Sequence, residues 1–144
     1  MRTSPPPASA NGGIISAVQL RRLSDAPVRE RGLLQSHLLL DAGELGARNL
    51  VVTWVEVAPG GEQRPHSHTE SEQAYVIVRG QGQMTVAGEQ RDVVEGDLVL
   101  IPPTAEHAIA NTGDETLVYV SAASPPESMA ALYHGQLVSE GAPE

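Results

Sequence analysis

The sequence predicts an all-β protein, a sandwich or small barrel, and three observations predict it. From Asn49 onward, short β-branched runs (NLVVTWVEV, AYVIV, QMTVA, RDVV, DLVLI, HAIAN and TLVYVSA) alternate with the turn formers PGG, RGQG, AGEQ, EGD, PPT and NTGDE. No helical period of strand-connecting length lies between these runs, which argues against a sheet of βαβ units. At 144 residues the chain suits one compact domain around one core. Apolar residues make up 40% of it, 34 of them Val, Leu or Ile, with no Phe and only Trp54, Tyr75, Tyr119 and Tyr133 as aromatics, so the core is expected to be aliphatic.

Taken in order, residues 1–13 (MRTSPPPASANGG) hold three consecutive prolines and nothing that packs, and are expected to be a disordered tail. The β domain is expected over residues 14–124. Its first part has the apolar runs IISAVQL and SHLLLD, which read as edge strands, separated by the charged LSDAPVRERG, which reads as a loop or an irregular turn. In NLVVTWVEV, Trp54 and Glu56 share one face and Val51, Thr53, Val55 and Val57 the other, and either face could line the barrel. If Trp54 faces outward, a dimer interface is its natural cover. A C-terminal extension occupies residues 125–144, where PPESMAALYHG predicts a short helix with prolines in its first turn and Gly135 as its stop.

Nine Arg and no Lys against 18 acidic residues give a net charge of −9. Such a balance disfavours partners held through phosphates, so no nucleic-acid role is expected. The absence of Cys excludes disulfides, thiolate nucleophiles and Cys-type metal sites, so any metal must be held by His, carboxylate or amide groups. No run approaches the roughly 18 apolar residues of a membrane helix and the N-terminus lacks an apolar leader, so no membrane association and a cytoplasmic location are expected.

Chemistry concentrates in the histidines. His66 and His68 stand two apart in RPHSHTESEQAY, and on an extended strand such residues point to one face and can grip one ion. His107 follows in IPPTAEHAIAN, while His37 and His134 are isolated and read as surface imidazoles.

These residues fall into two spaced patterns. Gly60, His66 and His68 match a motif that runs G, five residues, H-x-H, three or four residues, E, six residues, G. Gly96, Pro102, His107 and Asn111 match a second that runs G, five residues, P-x-G, two residues, H, three residues, N, with Thr104 in place of its second Gly. With seven spaced matches between residues 60 and 111, the chain resembles a small, single-domain member of the cupin family. The resemblance implies a jelly-roll β-barrel of six to eight strands, usually a homodimer, holding one divalent transition metal ion, whether zinc, nickel, iron, cobalt or manganese.

The motif's Glu corresponds either to Glu72, three residues after His68, or to Gln73, four after it. Six residues separate Gln73 from Gly80, as the motif requires, so the ligand set the resemblance implies is His66, His68, Gln73 and His107. By strand alternation Gln73, Tyr75 and Ile77 then share the inward face and Glu72 does not. Three imidazoles and an amide leave the ion its full charge of +2, where a carboxylate would reduce it to +1. That favours polarising a carbonyl or enol oxygen without a change of oxidation state. Gln here is similar to aromatic polyketide cyclases and to enzymes that open unsaturated uronates. Tyr75 has an offset similar to the base of cupin lyases acting on sulfonium propionates, and is the expected acid/base residue, with a barrel-lining core tyrosine as the plain alternative.

The plain reading of Glu70 and Glu72 is a solvated loop, and of Arg64 and Arg79 exposed charge. Alternation aims Glu106 outward, and Asn111 reads as structural. Thr104 in a glycine's place suggests a turn that avoids positive φ. The expected function is a metal-dependent enzyme acting on a small carbonyl or enolisable substrate by cyclisation, isomerisation, ring opening or elimination. A metal-dependent dioxygenase and a non-catalytic binding module are the alternatives.

Overall fold

The computed structural model describes residues 17–126. Ten strands lie within them: β1 (Val28–Arg31), β2 (Leu34–Leu40), β3 (Val51–Val57), β4 (Glu62–His66), β5 (Glu72–Arg79), β6 (Gln81–Val86), β7 (Glu89–Val94), β8 (Leu98–Ile101), β9 (His107–Asn111) and β10 (Leu117–Ser124). They form two antiparallel sheets, one in the order β1-β2-β3-β10-β5-β8 and one in the order β4-β9-β6-β7. Strands β3 to β10 make the expected jelly roll, and β1 and β2 add a hairpin to the edge of the larger sheet, so the count exceeds eight. The tail at 1–13 and nearly all of the extension at 125–144, including its expected helix and His134, lie outside the described residues.

Local chemistry explains the hairpins. The two-residue link between β6 and β7 is Ala87–Gly88, with φ of +50° and +86°, the sign that type I′ turns demand and that matches strand twist. At Gly80, φ is +88° and a Cβ would stand 2.9 Å from the Thr116 carbonyl oxygen, so only glycine lets β5 turn into β6 there. This is why the first motif closes on a glycine.

Alternation decides the faces. Val51, Thr53, Val55 and Val57 point into the core and Trp54 points out, half-buried. Leu34, Met84, Val93, Ile101, Ile109 and Leu117 complete most of the aliphatic interior. At its centre, against the expectation of a wholly aliphatic core, the rings of Tyr75 and Tyr119 stack with centroids 4.5 Å apart. They are tolerated there because both hydroxyls find an acceptor, as described below.

Asn111 ties the two sheets. Its amide nitrogen donates to the Val57 carbonyl at 2.9 Å and the Glu115 carbonyl at 2.8 Å, and its side-chain oxygen accepts from the Gly113 N–H at 2.8 Å. Two other expectations are corrected. IISAVQL forms no strand in its described part, residues 17–20. The stretch LSDAPVRERG, expected as a loop or turn, holds one 3-10 turn at Leu23–Asp25 and then strand β1. Strand β4, EQRPH, carries no apolar run at all; it is built by pairing with β9, not by hydrophobic alternation.

Candidate metal centre

Two strand ends and one loop bring the histidines together. His66 closes β4 and is paired with His107, which opens β9. His68 lies past the end of β4, in the loop to β5, so the two histidines do not share an extended strand as the spacing suggested. The Thr104 N–H donates to the His68 carbonyl at 2.7 Å and pins that loop to the turn before His107. Ring centroids are 4.2 Å apart for His66 and His107, 5.3 Å for His66 and His68, and 5.5 Å for His68 and His107. One ligand atom from each lies within 4.8 Å of the others.

The tautomers follow from the backbone. His66 Nδ1 is 2.9 Å from the Arg64 carbonyl and His107 Nδ1 is 3.0 Å from the Ala105 carbonyl. A carbonyl only accepts, so each Nδ1 carries the hydrogen and each Nε2 keeps its lone pair. Both Nε2 atoms are buried without a hydrogen-bond partner. Burial pushes the His66 imidazole down from 6.5 to about 4; the Arg64 carbonyl opposes the shift, and the nearby His107 and His68 add to it. Burial lowers His107 in the same way, against the Ala105 carbonyl. Both are thus uncharged at neutral pH, the state in which imidazole binds metal.

Gln73 lies on β5, 2% exposed, and Glu72 beside it is exposed. Gln73 Nε2 donates to Ser121 Oγ at 2.7 Å, and Oε1 is left buried and without a hydrogen-bond partner. Unsatisfied buried polar atoms are rare in folded proteins, and two imidazole nitrogens and an amide oxygen in this state call for an electrophile. The donor set suits a divalent ion of borderline softness. The three imidazoles are therefore placed to hold a metal ion.

Tyr75 is fully buried on the same inward face, its ring edge-on to His107 at 5.9 Å. Its hydroxyl donates to Gln63 Oε1 at 2.5 Å, and the Tyr119 hydroxyl donates to the same oxygen at 2.9 Å. Sequence reasoning missed Gln63, Tyr119 and Ser121. A register shift between Gln63 and His66 turns both inward although they stand three apart, so alternation gives no signal for Gln63. Arg64, Glu70, Arg79 and Glu106 are all exposed, in keeping with their reading as surface charge. Thr104 overturns its expectation: its φ is +72°, the left-handed region that the motif's glycine would occupy.

A family model described as a cupin domain matches residues 53–123, the span that holds every residue of this cluster. The chain belongs to the cupin family. This cupin is 38% identical over 72 residues to an uncharacterized protein of Methanocaldococcus jannaschii, a match covering 50% of this chain and 58% of that one. It is 33% identical over 76 residues to the dimethylsulfoniopropionate lyase DddW of Ruegeria pomeroyi, covering 53% and 49% respectively. The chain thus spans about half the length of the curated relatives it matches. Among solved structures, a predicted oxalate decarboxylase from Thermotoga maritima superposes with a TM-score of 0.67 at 19% identity, over 74% of this chain and 98% of that one, which shows the shared fold.

Proposed function

We propose that this cupin is an enzyme that binds one divalent metal ion through His66, His68, Gln73 and His107 and moves a proton on a small carbonyl or enolisable metabolite. The observation that carries the reading is the buried Gln73 Oε1 without a hydrogen-bond partner, on the strand that faces the three histidines. When bound, the ion supplies Lewis acidity at a charge that no ligand carboxylate reduces. Ser121 holds the Gln73 amide with its oxygen free, and the backbone carbonyls of Arg64 and Ala105 hold the His66 and His107 rings.

Tyr75 is the proposed acid/base group. Its proton rests on Gln63, and a half-turn of the Gln63 amide would exchange an acceptor for a donor and so support either protonation state of the phenol. That the Ruegeria pomeroyi relative is named a lyase supports elimination within this class. The test is Tyr75→Phe assayed against a panel of enolisable and unsaturated acids, with bound metal measured in parallel. Turnover lost by about a hundredfold or more with the metal retained supports the role; unchanged turnover contradicts it.

One observation favours a second reading, a non-catalytic binding module: Tyr75 is fully buried with its hydroxyl already committed to Gln63. In that case ligand binding to the loaded protein survives in Tyr75→Phe and no compound of the panel is turned over.

A further inference from the structure

The two sheets part along one side of the barrel. Among the described residues β7 has only β6 as a neighbour and β8 only β5, so two free strand edges flank one gap with no ladder of hydrogen bonds between them. In that gap lies a cavity of about 600 Å³, lined by Met84 and Val86 from β6, Val93 from β7, and Val99 and Leu100 from β8. Its volume falls within the range of small-molecule sites, roughly 300–1,000 Å³.

The floor of the cavity is the margin of the core. Met84 and Val93 are buried, and Val86 and Val99 pack against the same cluster that holds Tyr75. Register sets this floor beside the metal centre. Val86 stands directly opposite His107 on β9, and Val99 directly opposite Tyr75 on β5. Residues opposite each other on one face have Cβ atoms about 5 Å apart. A group lying on Val86 and Val99 is therefore one side chain away from the imidazole and the phenol.

The rim is acidic. Glu89, Asp92 and Asp97 stand there against the single guanidinium of Arg91, which is 3.4 Å from Glu89. The Val94 N–H donates to Asp97 Oδ2 at 2.8 Å and holds that carboxylate in place. Three carboxylates to one guanidinium repel an anionic group, while the aliphatic floor accepts a neutral apolar one.

We propose that this cavity binds the apolar part of the substrate, a neutral aliphatic chain or ring whose oxygenated head reaches the metal centre past Val86 and Val99. The inference rests on the function proposed above and narrows its substrate class to amphiphilic carbonyl or enolisable compounds. Sugar acids and dicarboxylates fall outside that class, because their far ends are polar or anionic.

The test is calorimetric titration of the full-length, zinc-loaded protein with a series of hydroxamates, whose paired oxygens chelate a divalent ion, from acetohydroxamate to octanohydroxamate. Suberic acid monohydroxamate, of the same length but ending in a carboxylate, completes the set. The expected result is affinity that rises by about fourfold per added methylene, as burial of a CH₂ group gives, with the carboxylate-ended tail binding more weakly than octanohydroxamate. Two variants should lose most of the gain with tail length: Val99→Trp, which fills the floor, and Leu100→Glu, which adds a charge. Leu100 is 58% exposed, so its substitution spares the fold even where Val99→Trp does not, and circular dichroism and zinc content check both. Two results overturn the inference alone: acetohydroxamate binds but longer tails add nothing, or the gain persists in both folded variants. A carboxylate-ended tail bound as tightly as octanohydroxamate overturns the substrate class. Zinc-loaded protein that binds no hydroxamate at all overturns the metal-centred reading, and this inference with it.

Discussion

At the scale of single residues, His66, His107 and Gln73 are each held by a hydrogen bond at one end and left with an open valence at the other. His66 binds its proton more weakly when folded, near 4, than the ordinary 6.5 of an unfolded chain. The contribution to stability is therefore complete above pH 6.5 and falls away as the pH drops from 6.5 toward 4. Metal-free protein should accordingly show a declining urea midpoint across that window, and a midpoint independent of pH there would contradict it. Thr104 makes an opposite kind of prediction. A β-branched residue at φ +72° is strained, so Thr104→Gly should raise stability by about 0.5–1 kcal/mol in spite of glycine's greater freedom in the unfolded chain, and should keep the backbone bond to His68. Equal or lower stability in a denaturant titration would contradict this. The sequence placed Gln73 inward and Glu72 outward by alternation and by the count to Gly80. It could not show Gln63, because a bulge interrupts alternation and because the partners of Gln63 are 12 and 56 residues away.

At the scale of elements, the strands that carry apolar alternation were legible and those held by pairing alone were not. Strands β3, β5 and β9 show burial on every second residue along most of their length, the pattern their sequences announce. Strand β4 is five residues of Glu, Gln, Arg, Pro and His, and only its register with β9 makes it a strand. Yet β4 delivers His66 and Gln63, so the least legible element positions one of the three histidines and the acceptor of both tyrosine hydroxyls. Asn111 holds β9 in place from its far end. Asn111→Ala removes three hydrogen bonds and strands the buried Val57 carbonyl, so it should cost about 2–4 kcal/mol and lower metal affinity through the displacement of His107. A loss below about 1 kcal/mol by chemical denaturation would show that β9 is held mainly by its strand partners.

At the scale of the whole molecule, two sheets close over one interior that is aliphatic at its periphery and polar where three histidines and the tyrosine pair meet, with Gln73 buried on β5. The motif spacing anticipated that meeting point, since Gly60 to Asn111 covers β4 to β9. It did not anticipate the added hairpin of β1 and β2, which widens the larger sheet to six strands. Among the described residues, no helix is long and apolar enough to cross a membrane. The central claim is that the buried, unpaired donor atoms hold a metal ion, and elemental analysis of the purified protein beside His107→Ala and Gln73→Leu tests it most directly. The account predicts close to one divalent ion per chain, lost in His107→Ala and weakened in Gln73→Leu, with both variants folded. A folded natural protein that takes up no ion even after incubation with zinc, nickel, iron, cobalt and manganese would contradict it.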